Sequence, residues 1–219
     1  MIEFRGWHFP DDETHYQQIM NAVNRIVDGV PTYQYSKYET ARGLVKNNRR
    51  AIDVGANVGL WSRFLVKDFQ TVEAFEPVPL YARCFEKNVT GANLYQVALG
   101  KETKRISMAR KDGGACGDTA PATGAEDETI VASRIQMKYL DWYEFTDVDL
   151  LKIDCEGYEL FVLEGAIETI TRNKPIIVVE QKPTHGQAFG LEDDAGAKFL
   201  ESLGAKLFTI LNGDYIYRW

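Results

Sequence analysis

The sequence predicts an α/β fold in which helices cover a mostly parallel, doubly wound sheet. Three observations carry this. From Ala51 to Gly204 apolar strand-like runs alternate with runs of helical period, the pattern of right-handed crossovers between parallel strands. The first run, "AIDV", breaks into "GANVG", a strand stopping at a loop whose backbone approaches something closely. The chain then closes on "AKLFTIL", "NGD" and "YIYRW", where Asn212-Gly213 favours the left-handed conformations of a tight antiparallel hairpin.

In chain order, Asp11 and Asp12 precede "ETHYQQIMNAVNRIVDG". There Tyr16, Ile19, Met20, Val23 and Ile26 or Val27 recur at helical spacing until Gly29 and Pro31 end the run. A second helical stretch, "YSKYETARGLVKNN", leads to the strand at Ala51. Residues 1–48 thus read as a helical cap packed on a single domain over 49–219. "GLWSRFLVKD" reads as a helix, "TVEAF" as a strand, "PLYARCFEKNV" as a helix and "NLYQVAL" as a strand. "RISMA", "TIVASRIQM" and "KYLDWY" are ambiguous, and the stretch "KDGGACGDTAPATGAEDE", rich in Gly, Ala, Thr and Asp, reads as a mobile loop. The alternation resumes with strand "VDLLKID", helix "YELFVLEGAIETITRN", strand "KPIIVVEQ" and helix "LEDDAGAKFLESLG".

With 219 residues, 45% of them hydrophobic, the chain fits one sizeable core better than two. Its formal charge of -7 disfavours an extended nucleic acid or an anionic membrane as partner. No window is apolar for long enough to span a bilayer and the N-terminus lacks the pattern of a secretory signal, so the expectation is a cytoplasmic protein. Cys84, Cys116 and Cys155 show no C-x-x-C spacing and read as reduced thiols.

The loop after the first strand suits a nucleoside. In a doubly wound sheet ligands lie at the carboxyl ends of strands, where Gly55 and Gly59 stand. About 20 residues further on, Glu76 is placed to accept hydrogen bonds from a ribose diol. The loop lacks the third glycine of G-x-G-x-x-G, and Asp53 and Glu76 put negative charge beside the ligand. That favours a cofactor bearing a sulfonium and an ammonium, S-adenosylmethionine, over one bearing two phosphates.

"AIDVGANVGLWS", "VEAFEPVP", "NLYQVALG" and "DLLKIDCEGYELFVLEGA" together resemble the successive motifs of FkbM-type S-adenosylmethionine-dependent methyltransferases, over roughly Arg50 to Gln181. "KIDCEGYELFVLEGA" is the most specific part. The resemblance implies the class I methyltransferase (Rossmann-like) fold, a seven-stranded sheet whose last strand is antiparallel. It also implies that Gly55, Asn57 and Gly59 contact the methionine and ribose portion, that Glu76 takes the ribose hydroxyls, that Ala98 lies against the adenine and that Asp53 organises the loop.

Methyl transfer to an alcohol needs alignment and a group to take the proton. Asp154 and Glu156 follow "DLLKI" to the same sheet edge as the glycine loop, Glu180 ends the neighbouring strand, and His185 follows in the loop. Any of these could be the base. Glu156 could also cap the next helix, and Glu180 could pair with Lys152 or Lys182. Asp154 with Glu180 could hold Mg²⁺, though nothing in the sequence indicates a metal. Trp61, Phe75 and Tyr95 read as core, while Trp7, His8, Tyr33, Gln34 and Tyr35 are placed to fold over the cofactor mouth.

The leading expectation is an O-methyltransferase acting on a hydroxyl of a small molecule or glycan. The runner-up, an NAD(P)-linked oxidoreductase, is disfavoured by the missing glycine and by the absence of a Tyr-x-x-x-Lys pair. An amino-methyltransferase of nucleic acid is disfavoured because "DCEG" replaces the Asn/Asp-Pro-Pro-aromatic motif. A non-catalytic module that binds the cofactor is the third reading. Acceptor recognition is expected from the N-terminal segment and the loop from Lys111 to Glu128.

Overall fold

Seven strands form the central sheet: β1 (Arg50–Val54), β2 (Thr71–Phe75), β3 (Asn93–Tyr95), β4 (Val148–Ile153), β5 (Ile176–Glu180), β6 (Lys206–Leu211) and β7 (Asp214–Arg218). The protein is described from a computed structural model covering residues 1–23, 25–111 and 118–219. Across the sheet the order is β6-β7-β5-β4-β1-β2-β3, so strand order reverses between β1 and β4. β1 to β5 are parallel, and β7 runs antiparallel to both of its neighbours, β5 and β6.

The strands are apolar on both faces because both faces are covered. Ala51, Leu150, Val178 and Ile216 point to one face, and their chain neighbours Ile52, Leu151, Val179 and Tyr217 to the other. Helices α1 (His15–Ala22), α2 (Tyr35–Leu44), α3 (Ser62–Asp68) and α4 (Pro79–Asn88) cover the first face. The second face is covered by α5 (Glu159–Glu164), α6 (Ile167–Asn173) and α7 (Ala195–Ser202). Trp7, Phe9 and Met20 are fully buried in the first cluster, which makes the N-terminal segment part of the core. Buried Lys37 of α2 meets buried Asp214 of β7 at 2.5 Å and fastens that helix to the closing hairpin. No helix among the described residues is long and apolar enough to cross a membrane.

Several elements differ from the sequence reading. The first helix ends at Ala22, and Ile26–Val27 instead pairs with Val30–Pro31 around Asp28-Gly29, both at positive φ, because this dipeptide favours a hairpin turn over a helix. The second helical run stops at Leu44. "YELFVLEGAIETITRN" splits at Gly165, where a Cβ would stand 2.1 Å from the Gly100 carbonyl oxygen and the chain has no room to continue straight. "NLYQVAL" also divides: β3 stops at Tyr95, and Ala98–Leu99 joins a second, four-stranded sheet with Lys104–Lys111, Thr119–Pro121 and Glu128–Lys138. "KYLDWY" contributes a short 3-10 turn at Leu140–Tyr143.

The stretch read as a mobile loop contains the strand Thr119–Pro121, paired with Met108–Arg110. It also contains a turn in which the Glu128 carboxylate accepts from the backbone N–H groups of Thr123 and Gly124. Residues 112–117, with Cys116, lie outside the described residues.

Candidate active site

β1 and β4 lie side by side, and the chains leaving them turn to opposite faces of the sheet, which opens a crevice at their carboxyl ends. An open cavity occupies it, enclosing with the adjoining solvent about 740 Å³. The sheet edge contributes Gly55, Asn57, Glu76, Asp154, Cys155 and Glu156. The second sheet adds Ala98, Met108 and Pro121. Tyr16 and Tyr33 come from the N-terminal segment, and Tyr81 from α4.

The glycine loop is shaped by its protein neighbours. Gly55 has φ +75°, and a Cβ there would lie 1.9 Å from the Asp154 carbonyl oxygen, so glycine is what lets the exits of β1 and β4 touch. Gly59, φ +93°, does not line the cavity. A Cβ there would strike Val89 Cγ2 at 2.4 Å, so it serves the packing of the loop against the end of α4. Asn57 takes φ +50°, a left-handed conformation that asparagine tolerates.

Glu76 holds this loop in place. One carboxylate oxygen accepts from Asn57 N–H and the other from Val78 N–H, each at 2.8 Å. Burial pushes its pKa up to about 7 against the pull of those two bonds. Asp53 is fully buried outside the cavity lining, where it accepts from Ser62 Oγ at 2.6 Å.

Lys152, a charge inside the apolar run of β4, crosses beneath the loop. Its ammonium lies 3.4 Å from Asp53 and 3.5 Å from Asp154, and it donates to the Gly55 carbonyl oxygen at 3.2 Å. Burial opposes its charge, but Asp154 and Asp53 outweigh burial and hold it protonated. Burial likewise opposes ionisation of Asp154, and Lys152 with Lys182 outweighs it, holding this carboxyl below the usual range.

The remaining acids gather at the rim. Glu156, at φ +52°, turns its side chain to His185, whose Nδ1 lies 2.9 Å from Oε2 and whose pKa this carboxylate raises. Lys182 lies 2.8 Å from Glu180 Oε1 and 3.8 Å from Glu156 Oε1. Burial, with Asp154 and Glu156 nearby, pushes Glu180 up to about 10. Glu156 is also raised, by burial first. Of the partners open to Glu180, the structure selects Lys182, since Lys152 is engaged with Asp53 and Asp154. No side chain among the described residues caps the following helix, and it is Glu159 that braces the turn before it, its Oε1 accepting from Cys155 N–H at 2.8 Å and Gly157 N–H at 3.1 Å.

Of the residues expected from the sequence, Gly55, Asn57, Glu76, Ala98, Asp154 and Glu156 meet in the cavity wall, whereas Asp53, Gly59, Glu180 and His185 do not line it. Glu156, Glu180 and His185 instead cluster with one ligand atom each, all within 4.8 Å of one another, so the metal-competent group contains Glu156 and His185 rather than the pair Asp154 and Glu180. Phe75, read as core, also faces the cavity, and of the five residues placed over the mouth only Tyr33 lines it. Trp7 is fully buried and donates to the Pro31 carbonyl, while His8 binds Asn88 and Gln34 accepts from Trp61. Tyr35 packs on Arg25 and Phe64. Sequence reasoning missed Tyr16, Tyr81, Lys152 and Glu159. A lysine within an apolar strand was a legible signal for Lys152, and the tyrosines carried none.

Among solved structures the chain is similar to an FkbM methyltransferase from Methylobacillus flagellatus KT, with 17% identity and a TM-score of 0.53 over 92% of this chain and 50% of that one. It is also similar to a TehB-like SAM-dependent methyltransferase from Corynebacterium glutamicum, with 12% identity and a TM-score of 0.51 over 93% and 91%. A precorrin 8w decarboxylase from Methanobacterium thermoautotrophicum gives 13% identity and a TM-score of 0.50 over the whole of both chains. At such identities the likeness is one of fold: the class I methyltransferase fold, with its mostly parallel sheet of seven strands. The chain spans about half the length of the Methylobacillus protein. No curated protein matches it. The model of the methyltransferase FkbM domain matches residues 53–207, from the aspartate of β1 into β6, and the chain belongs to that family.

Proposed function

We propose that the protein transfers a methyl group from S-adenosylmethionine to a hydroxyl of a small molecule or glycan. One observation carries the reading: the carboxylates of Asp154 and Glu156 line the same cavity as the loop and Glu76, so groups able to take a proton share a wall with the residues placed to meet a nucleoside.

The residues present fit the cofactor. When bound, it supplies an electrophilic methyl group on a sulfonium. Lys182 is the one cation in the cavity wall among the described residues, against the carboxylates of Glu76, Asp154 and Glu156, and that balance suits a ligand carrying positive charge. Glu76 stands after β2, where an acid meets a ribose diol. Ala98 and Phe75 give apolar wall for a base. Tyr16, Tyr33, Tyr81 and Met108 form an apolar and aromatic side that suits a hydrophobic acceptor or the flat face of a sugar ring. The carboxylates at the exit of β4 accept the hydroxyl proton as the new O–C bond forms and the S–C bond breaks.

Calorimetry tests binding: S-adenosylmethionine and its demethylated product give heat, and NAD gives none. Absence of heat from both sulfur ligands overturns the proposal. Turnover is read by mass spectrometry of products formed from labelled methyl donor and extract of the source organism. Asp154→Asn and Glu156→Gln should keep cofactor binding, and at least one should lose about 10²-fold or more in turnover. Full turnover in both refutes the carboxylates' role.

A further inference from the structure

We propose that Glu156, Glu180 and His185 form a site for one divalent transition-metal ion at the rim of the cavity. One donor atom from each lies within 4.8 Å of the other two. Donors bound at about 2.1 Å to a common tetrahedral ion stand about 3.4 Å apart, so side-chain shifts of about an ångström close the cluster.

A second observation is independent of that spacing. Glu180 Oε2 is buried without a hydrogen-bond partner, and Glu156 Oε2 and His185 Nδ1, 2.9 Å apart, have no partner but each other. Glu180 is only 2% exposed, and an orphaned carboxyl oxygen at that depth is one that a bound ion would satisfy. Lys182 does not meet the need, because it approaches the Oε1 atoms of both glutamates, while Oε2 of Glu156 faces His185 and Oε2 of Glu180 is left open.

The backbone is arranged to the same end. Glu156 and Gly157 both take positive φ, and a Cβ at Gly157 would lie 2.3 Å from the His185 carbonyl oxygen, so this glycine lets the histidine loop close over Glu156. Two carboxylates and an imidazole suit Mn²⁺, Fe²⁺, Co²⁺ or Zn²⁺ better than Ca²⁺ or Mg²⁺, which favour oxygen alone. Glu156 also lines the cavity, so open coordination positions would face an acceptor oxygen and leave Asp154 to take its proton. This last consequence rests on the methyl-transfer reading; the ion site does not.

The test uses the full chain stripped of metal and titrated with Mn²⁺ alone, without methyl donor or acceptor. The probe is the six-line paramagnetic resonance spectrum of free Mn²⁺, which disappears on binding. One equivalent should bind, and Glu180→Gln and His185→Ala should each weaken it about tenfold or more. Lys182→Ala should tighten it by removing the competing ammonium. Absence of stoichiometric uptake, unchanged affinity in His185→Ala, or weakened binding in Lys182→Ala overturns the site. His185 is partly exposed on a loop, so its variant decides the matter even if Glu180→Gln fails to fold. Because no methyl donor is present, failure here and failure of the methyl-transfer reading are separate results.

Discussion

Glu76 joins structure to ligand binding through one carboxylate. Its two oxygens hold the backbone of Asn57 and Val78, and burial raises its pKa to about 7. An acid with a raised folded-state pKa binds more protons folded than unfolded, so its contribution to stability is most favourable below its unfolded value and declines as pH rises through about 7. Ribose hydroxyls donate to the ionised form, so S-adenosylmethionine affinity should climb from pH 5 to 7 and then level. Calorimetry in buffers of different ionisation heat should show proton release over that range, and Glu76→Gln should abolish the slope. Glycines give a second test at this scale. Gly91→Ala, at φ +94° with open space around it, should cost about 1–2 kcal/mol by backbone strain alone. Gly55→Ala adds collision with the Asp154 carbonyl and should cost about 1–3 kcal/mol more, or prevent folding, as read in urea melts.

Among the described residues three hairpins use the same turn chemistry, but the sequence announced only one. Asn212-Gly213 was read as a turn, and β6 and β7 pair around it with both residues at positive φ. Arg5-Gly6, between the antiparallel strands Ile2–Phe4 and Trp7–Phe9, and Asp28-Gly29 adopt the same signs of φ, yet Asp28-Gly29 falls within a helical period that Ile26 and Val27 happen to continue. Periodicity extrapolates through a break that local backbone preference decides. Between elements, the buried Lys37–Asp214 pair ties α2 to β7. Lys37→Met should destabilise the fold by about 3–5 kcal/mol, since it leaves Asp214 buried and unpaired. The double variant Lys37→Met/Asp214→Leu should recover most of that loss, and urea denaturation of the four proteins in the cycle measures both.

Over the whole molecule, the N-terminal segment is core and cavity wall together. Trp7, Phe9 and Met20 are fully buried beside the helices of the central sheet, while Tyr16 and Tyr33 face the cavity. Removing residues 1–34 should therefore abolish cooperative unfolding, with loss of near-ultraviolet circular dichroism. A well-folded truncated protein would refute this. Trp7→Ala alone should cost about 3–5 kcal/mol.

The sequence by itself determined the α/β architecture, the closing hairpin and the strand exits that carry Gly55, Glu76, Asp154 and Glu156. Apolar alternation, turn residues and strand ends are local, and β1, β4 and β5 bury both faces over contiguous residues. Only the tertiary structure decided that Gly59 serves packing, that Lys152 bridges Asp53 and Asp154, and that Glu156 turns from the helix it precedes toward His185. It also brought Tyr16, Tyr81 and Met108 to one cavity. These outcomes depend on which segments distant along the chain meet, and on how buried charges divide the available partners, neither of which spacing along the chain encodes.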